Sequence, residues 1–259
     1  MNNICFSNWI GLWTLYLREV RRFVKVHTQT ILAPIVITLL FLAIFTLALG
    51  RADQMVGGVP FVEFLAPGLI MMAIIQNSFA NTSSSIVISK VQGNIVDTLM
   101  PPLTADELTL ALSFGGVTRG VTVGVFTGAA MSLFAPLGLH NLGFIVFHAF
   151  AASLMLSLLG LAGGIWAEKF DHIAAITNFV VMPLSFLSGT FYSVQSLSGV
   201  FYAAAFFNPF FYMIDGFRYG FTGHADAPPL VGIAVMIVVN LGLWMLCRWM
   251  FATGYKLKD

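Results

Sequence analysis

Six long apolar stretches constrain this chain more than any other feature of its sequence. A helix needs about 20 mostly apolar residues to cross the hydrocarbon core of a bilayer. Stretches of that kind lie at residues 31–49, 64–86, 108–134, 142–166, 173–192 and 230–250. Only 9% of the residues are charged, against about 25% in a typical soluble domain, which is too few to cover a soluble surface. The sequence therefore predicts an all-α polytopic membrane protein with six spans in a single domain, residues 1–259.

Lys and Arg residues predict the orientation of the chain, because short cytoplasmic loops carry an excess of them. One side of the six-span arrangement holds Arg18, Arg21, Arg22, Lys25, Lys90, Lys169, Arg248, Lys256 and Lys258. The other side holds only Arg51 and Arg218. We therefore expect both termini to lie in the cytoplasm.

The stretch ahead of the first span, residues 7–27, predicts an amphipathic helix. Apolar side chains recur there at helical spacing, at Trp9, Leu12, Trp13, Tyr16, Leu17, Val20 and Val24. Basic side chains occupy the other faces, at Arg18, Arg21, Arg22 and Lys25. A basic amphipathic helix that carries Trp lies in the plane of the membrane interface. It could be a simple anchor, or a lever that transmits force from a cytoplasmic partner.

The longest hydrophilic cytoplasmic loop, residues 90–103, predicts a short helix before the third span. Apolar side chains recur at every fourth position, at Val91, Ile95 and Leu99. The Pro-Pro pair at 101–102 should stop this helix, and Thr104 with Glu107 forms a capping-box pattern that starts the next one. The loop could be an ordinary structured connection. It could also be a docking element, because so short a loop has little protein of its own to pack on.

Motifs for catalysis and for ATP binding are absent from the sequence. No G-x-x-x-x-G-K-[ST] occurs, so the chain cannot hold ATP by a P-loop, and there is no H-E-x-x-H or G-x-S-x-G. The five His and the two Cys, at 5 and 247, show no metal-ligand or disulfide spacing. The charges form no nucleic-acid-binding face. We therefore predict that the chain is not an enzyme, holds no cofactor or metal of its own, and does not bind nucleic acid.

One ionisable residue, Arg119, lies inside a predicted span, and such residues mark functional sites by default. If the third span begins near Leu108, Arg119 lies deep in the membrane. If the span begins after a break at Gly115-Gly116, Arg119 reaches the cytoplasmic edge with its long side chain. The second alternative also explains the excess length of this stretch, and we expect it. A proton- or sodium-coupled carrier would place Asp or Glu inside the spans, and none is clearly there.

The second span carries a polar face, which consists of Gln76, Asn77, Ala80, Asn81 and Ser84. Small and amide side chains commonly hold membrane helices together. The same side chains could line a path for a polar or amphipathic substrate. Both interpretations stay open, and they are compatible.

The stretch from 183 to 220 is almost as apolar as a span, but Pro and Gly interrupt it repeatedly. Backbone that leaves helical pairing at membrane depth is tolerated only where protein or a water-filled cavity covers it. We therefore expect a re-entrant extracytoplasmic region at 193–229, although its aromatic residues could also form a plain interfacial belt. Asp215 and Arg218 are three residues apart, so a mutual ion pair is expected if this part is helical.

Several local sequences resemble those of one transporter family. They are PGLIMM at 67–72, FANTSSS at 79–85, the loop at 90–103, FLSGTFYSVQSL at 186–197 and NPFFYMIDGFRYGF at 208–221. Together they resemble the ABC-2 family (type V) of ABC-transporter permeases, and in particular its small bacterial inner-membrane permeases. The resemblance runs over essentially the whole chain.

The resemblance implies roles for particular residues. Residues 7–27 would form a connecting helix, with Trp13, Arg18, Arg21 and Arg22 as its candidate residues. Residues 91–100 would form a coupling helix that docks on a separate ATPase through Val91, Asn94, Ile95, Leu99 and Met100. The path and its gate would be lined by Gln76, Asn77, Asn81, Phe186, Phe191 and Asn208. Residues 92–94 carry less charge than the family loop often does, so we expect less ionic docking contacts here.

The resemblance also implies the function to be expected. Two copies, as a homodimer, would sit on two ATPase subunits that hold ATP and Mg²⁺. The assembly would export a lipid, a glycan or a hydrophobic compound across the bacterial inner membrane. An ATP-independent channel or secondary carrier is the main alternative, and a membrane enzyme acting on lipids is a more distant one.

Overall fold

The computed structural model describes residues 8–48 and 54–257. Cys5, Ser7, Leu49, Arg51 and Lys258, on which parts of the predictions fall, lie outside these ranges. The described helices are α1 (Trp9–Val24), α2 (Ala33–Ala43), α3 (Phe61–Val91), α4 (Ile95–Leu99), α5 (Ala105–Met131), α6 (Leu142–Trp166), α7 (Phe170–Ile176), α8 (Met182–Leu187), α9 (Val200–Phe207), α10 (Pro209–Thr222) and α11 (Pro229–Thr253). A small antiparallel hairpin, β1 (Met55–Val56) and β2 (Val59–Pro60), precedes α3.

The six predicted spans are confirmed as six helices that are long and apolar enough to cross a membrane. They are Thr28–Leu47, Phe61–Val91, Ala105–Met131, Leu142–Trp166, Phe170–Leu187 and Pro229–Thr253. The first and fifth are composite, since π-helical turns at Thr28–Leu32, Ile44–Ala48 and Thr177–Val181 adjoin their α-helical parts.

The predicted break at Gly115-Gly116 is wrong, because α5 runs without interruption from Ala105 to Met131. The two glycines serve close packing instead. A Cβ at Gly116 would lie 2.4 Å from Ser157 Oγ, and one at Gly115 would lie 2.6 Å from Glu19 Cβ. The excess length of this stretch is therefore taken up by one long helix and not by a kink.

The loop between α3 and α5 differs from its prediction. Val91 is the last residue of α3, and the short helix α4 covers only Ile95–Leu99. Gly93 has a φ of +74°, a left-handed conformation that ends the first helix and redirects the chain. A continuous helix over 91–100 is therefore wrong, and the spacing of Val91 and Ile95 does not place them on one helical face.

The predicted capping box at the start of α5 is confirmed. Thr104 Oγ1 accepts a hydrogen bond from the backbone N–H of Glu107 at 3.2 Å, and Glu107 Oε2 accepts one from the backbone N–H of Thr104 at 2.8 Å. The other carboxylate oxygen of Glu107 accepts from the backbone N–H of Asn8 at 2.7 Å. One side chain therefore starts α5 and holds the beginning of α1 beside it.

Helix α3 forms the centre of the bundle and is buried along most of its length, with α5 and α6 packed on it. Small residues allow this contact, as is usual between membrane helices. A Cβ at Gly160 of α6 would lie 2.6 Å from the backbone oxygen of Phe79 and 2.4 Å from Thr82 Oγ1. The first, fifth and sixth spans instead expose most of their surface.

Replacing Gly160 with alanine should destabilise the protein, because the new methyl group meets backbone that cannot rotate away. Overpacking of this kind costs about 1–3 kcal/mol. Gly242 on α11 is the matched control, since no atom of the described residues lies within 4 Å of a Cβ built there. Alanine at Gly242 should be neutral or slightly stabilising. Thermal unfolding of the purified variants in detergent measures the difference, and equal melting temperatures would contradict the packing argument.

The segment between the fifth and sixth spans folds against the end of the bundle that carries the β-hairpin. Helix α10 is largely buried and packs on α6, α11 and α3, whereas α9 exposes Val200, Phe201 and Phe207. Gly199 and Gly223, with φ of +62° and +73°, begin α9 and end α10. The position of this whole segment relative to the membrane stays a prediction.

Candidate functional site

A buried carboxylate, Glu19 of α1, bonds α1 to α3 at the end of the bundle that carries α4. Its side chain is 1% exposed. Glu19 Oε1 accepts hydrogen bonds from Ser85 Oγ at 2.9 Å and Arg18 Nη2 at 3.3 Å, and Oε2 accepts one from Arg22 Nε at 3.2 Å. Both Arg side chains stay partly exposed, whereas the carboxylate that binds them is buried.

The sequence analysis missed Glu19. The residues of α1 that the structure buries are Leu12, Leu15, Glu19 and Phe23. Trp9 and Trp13, which we placed on the apolar face, are exposed. The helix thus has separate core-facing and exposed apolar faces. The signal for Glu19 was its spacing, because it stands seven residues after Leu12 on one helical stripe.

Arg22 and Arg18 connect α1 to the rest of the site. Arg22 donates from Nη1 to Ser84 Oγ and from Nη2 to Asn81 Oδ1, each at 3.1 Å. Arg18 donates from Nη1 to Thr98 Oγ1 of α4 at 3.1 Å. The amphipathic helix α1 is thereby hydrogen-bonded to the second span and to the short loop helix α4. A displacement of α4 would act on α1 through the Arg18–Thr98 hydrogen bond.

A cleft of about 940 Å³ opens beside this network, between α1, the last turns of α3 and the α4 loop. Its walls carry the cations Arg18, Arg21 and Lys25, the acid Asp97 and the apolar Pro101. Mixed basic and apolar walls suit a protein segment with acidic and apolar side chains.

The predicted docking residues fall into different environments. Asn94 and Met100 are exposed, and so is Val91 at the end of α3. Leu99 is half-buried, whereas Ile95 packs in the core with Leu12 and Leu15 and does not point outward. Val96 of α4, which the sequence analysis did not select, is 50% exposed.

The polar face of α3 is mostly occupied by contacts within the chain. Asn77 donates to the backbone oxygen of Ala73 at 3.0 Å and accepts from Arg119 Nη2 at 3.0 Å. Asn81 is fully buried against Arg22. Gln76 alone among the predicted path residues on this helix is exposed. Packing and an open polar surface therefore coexist on this face.

The break that would bring Arg119 to the cytoplasmic edge of its span is absent from α5, whereas the depth of Arg119 in the membrane stays a prediction. Since α5 is continuous from Ala105, Arg119 stands near the middle of the helix. Its side chain is half-buried and turned toward α3.

The predicted gate residues come together at the far end of the fifth span. Phe191 is buried and its ring stacks on Phe45 at 4.9 Å and on Phe186 at 5.7 Å between centroids. Asn208 caps α10 by accepting from the backbone N–H of Phe210 at 3.0 Å, and it donates to the backbone oxygen of Leu184 at 2.8 Å. This cluster joins the first span, α8 and α10.

The predicted ion pair between Asp215 and Arg218 is absent from the described part of the chain. Asp215 instead accepts from the backbone N–H groups of Asp226 at 2.8 Å and Ala227 at 3.0 Å. Arg218 is 1% exposed and donates to the backbone oxygens of Phe64 at 3.1 Å and Gly189 at 2.7 Å. The two charges therefore turn to different backbone neighbours, Asp215 to the segment after α10 and Arg218 to the start of α3 and the turn at Gly189.

Groups of His, Cys, Asp and Glu that could hold a metal ion are not found among the described residues. His148 lies buried with Nδ1 2.9 Å from the backbone oxygen of Phe144, and Cys247 donates to the backbone oxygen of Leu158. His148 and Cys247 therefore pack within the bundle.

Comparison with known proteins relates most of the chain to one family. Residues 11–222 match the family model described as ABC-2 type transporter. The inner membrane transport permease YadH of Escherichia coli K12 is 33% identical over 251 residues, which cover 97% of this chain and 98% of that protein. Nodulation protein J of Rhizobium leguminosarum bv. trifolii is 24% identical over 235 residues, covering 90% and 88%. The chain belongs to the ABC-2 type transporter family of membrane permeases.

Proposed function

We propose that this chain is the permease subunit of an ATP-binding cassette transporter in the bacterial inner membrane. A separate ATPase subunit supplies the energy, with ATP and Mg²⁺ bound there. The transporter exports a lipid, a glycan or a hydrophobic compound, and both termini of the permease face the cytoplasm. The observation that carries the proposal is the bonded network of α1, α3 and α4 beside an open cleft, in a chain that has no P-loop.

The ATPase docks on the α4 loop and on the cleft behind it. Val96, Leu99 and Met100 provide apolar side chains beside the polar Asn94, and apolar contacts with polar neighbours are usual in an interface. Met100 is 78% exposed. An apolar side chain gains nothing from exposure to water, so the ATPase would cover it. The basic residues of the cleft would receive acidic side chains of the ATPase.

Movement of the docked ATPase reaches the spans through α1. A push on α4 is transmitted by the Arg18–Thr98 bond to α1, and from α1 to α3 through Glu19 and Arg22. These hydrogen bonds involve ionised groups, which makes them stronger than neutral ones. The unit formed by α1 and α3 then moves as one body.

The path lies where two copies of the chain face each other. The second span contributes the exposed Gln76, while Asn77 and Asn81 are held by contacts within the chain. The aromatic cluster around Phe191 forms the gate at the outer end. A homodimer fits this arrangement, because the first and fifth spans leave most of their surface free for lipid or for another copy. Opening requires that the substrate binds one conformation better than the other.

The docking proposal is tested by replacing Met100 with aspartate. The change puts a charge in place of an exposed apolar side chain of the docking surface, so the ATPase should no longer copurify and transport should be lost. Met55 of the β-hairpin is the matched control, because it is also exposed and lies at the opposite end of the bundle. Met55→Asp should retain the ATPase. Normal copurification with Met100→Asp would contradict docking at this surface. Substrate flux in liposomes without ATP would favour a channel or a secondary carrier instead.

A further inference from the structure

Arg119 is a cation in the interior of the bundle that has no carboxylate partner among the described residues. It is the fifteenth residue of α5, about 21 Å from the start of the helix at 1.5 Å per residue. Among the described residues, none of the ion pairs includes it, and its hydrogen-bond partner is the amide oxygen of Asn77. A charge placed like this inside a membrane helix is costly and is usually kept for function.

The charges around Arg119 leave the region positive. The buried carboxylate of the network, Glu19, is already shared by Arg18 and Arg22. Arg22 acts on Arg119 as a like charge. One carboxylate cannot balance three guanidinium groups, so an excess of positive charge extends from α1 into the membrane part of α5.

The guanidinium of Arg119 has unused hydrogen-bonding capacity. It carries five N–H donors in a planar fork, and the described structure uses one nitrogen, Nη2. The buried Nε has no partner. The side chain is half-buried, so part of it stays accessible. An anionic group of a substrate could therefore replace or join Asn77 as the acceptor.

We propose that Arg119 binds the phosphate or carboxylate group of an amphipathic anionic substrate, with Asn77 beside it. This inference rests on the proposed function, because it assigns a substrate class to the path of the permease. Planar, bidentate recognition of phosphate and carboxylate is the interaction for which arginine is best suited. Substrates with a neutral or cationic head group lack this contact and bind more weakly.

Four probes with the same twelve-carbon tail separate the head groups. They are dodecyl phosphate, dodecanoate, dodecyl maltoside and dodecyltrimethylammonium. Their binding is measured below micellar concentrations on the full-length permease in nanodiscs of zwitterionic lipid, without ATPase. We expect the wild type to prefer one of the two anionic probes, and the preferred one identifies phosphate or carboxylate as the natural group.

Three variants test whether Arg119 makes the contact. Arg119→Gln should weaken the preferred anionic probe by about 10-fold or more, as the loss of a charge-assisted hydrogen bond implies. Arg119→Lys should keep part of the preference. Asn77→Asp leaves Arg119 in place but supplies a carboxylate beside it, and should abolish the preference as well. Binding of dodecyl maltoside should stay unchanged in all three.

Two results would overturn the inference. One is an equal affinity of the wild type for anionic and neutral probes. The other is a loss of binding in Arg119→Gln that is the same for every head group, since that would mark Arg119 as a strut between α5 and α3. Because binding is measured without ATPase, failure here leaves the docking test of Met100→Asp unaffected, and failure of that test leaves this one interpretable.

Discussion

Replacing Glu19 with alanine should destabilise the permease and disconnect ATP hydrolysis from transport. The change removes the acceptor of Ser85, Arg18 and Arg22 at once. Breaking a buried charge pair by removing one partner costs 3–5 kcal/mol, and we expect about 3 kcal/mol. The lower value applies because the two Arg side chains keep 45% and 32% of their surface exposed, so water compensates for part of the loss.

The measurement has two parts, the melting temperature in detergent and the number of ATP molecules hydrolysed per substrate transported by the reconstituted complex. Glu19→Ala should lower the first and raise the second. Glu168→Ala is the control, since Glu168 forms an exposed ion pair with Lys256 at 2.8 Å, and such pairs contribute little. Ser85→Ala should give a smaller effect in the same direction. An unchanged ratio of hydrolysis to transport in Glu19→Ala would refute the transmission route through α1.

Replacing Arg218 with alanine should detach α10 from the bundle. The guanidinium lies 3.7 Å from the centroid of the Phe64 ring and also bonds the backbone oxygens of Phe64 and Gly189. A desolvated cation–π contact is worth about 2 kcal/mol, and hydrogen bonds to a charged group about 1.5–3 kcal/mol each. Loss of a buried charge relieves its desolvation, so we expect a net effect of about 3 kcal/mol, within the range for large mutational effects.

Arg218→Lys tests which property of the side chain matters. Lysine keeps the charge but loses the planar face that stacks on Phe64 and the fork that reaches two carbonyls, so most of the destabilisation should remain. Arg248→Ala is the control, because Arg248 is 61% exposed and pairs with an exposed Asp106 at 3.4 Å. Thermal unfolding and protease sensitivity of the segment around α9 report the effect. A melting temperature for Arg218→Ala equal to that of Arg248→Ala would show that Arg218 does not hold the segment.

Features that depend on short stretches of sequence were predictable. The six spans, the amphipathic character of residues 9–24 and the capping box at Thr104 and Glu107 all follow from neighbours along the chain. A helix satisfies its backbone hydrogen bonds internally, and in a membrane this requirement is strict. Composition and periodicity were therefore enough to find the helices.

Features that depend on packing were missed or wrong. The pair at Gly115-Gly116 was interpreted as a break because glycine weakens helices, but close contact with Ser157 and Glu19 explains it. The stripe of Val91 and Ile95 was periodic, yet the left-handed Gly93 between them separates the two helices. Local patterns do not reveal which neighbouring helix will be close.

The sequence by itself determined the class of this protein, its number of spans and its family, since these depend on apolar length and on local motifs. The tertiary structure alone decided what its few charges do. Ser85 lies 66 residues from Glu19, and Phe64 lies 154 residues from Arg218. Such partners meet only when the helices have assembled. In an environment that excludes water, each buried charge takes whatever hydrogen-bonding partner the assembled bundle places beside it.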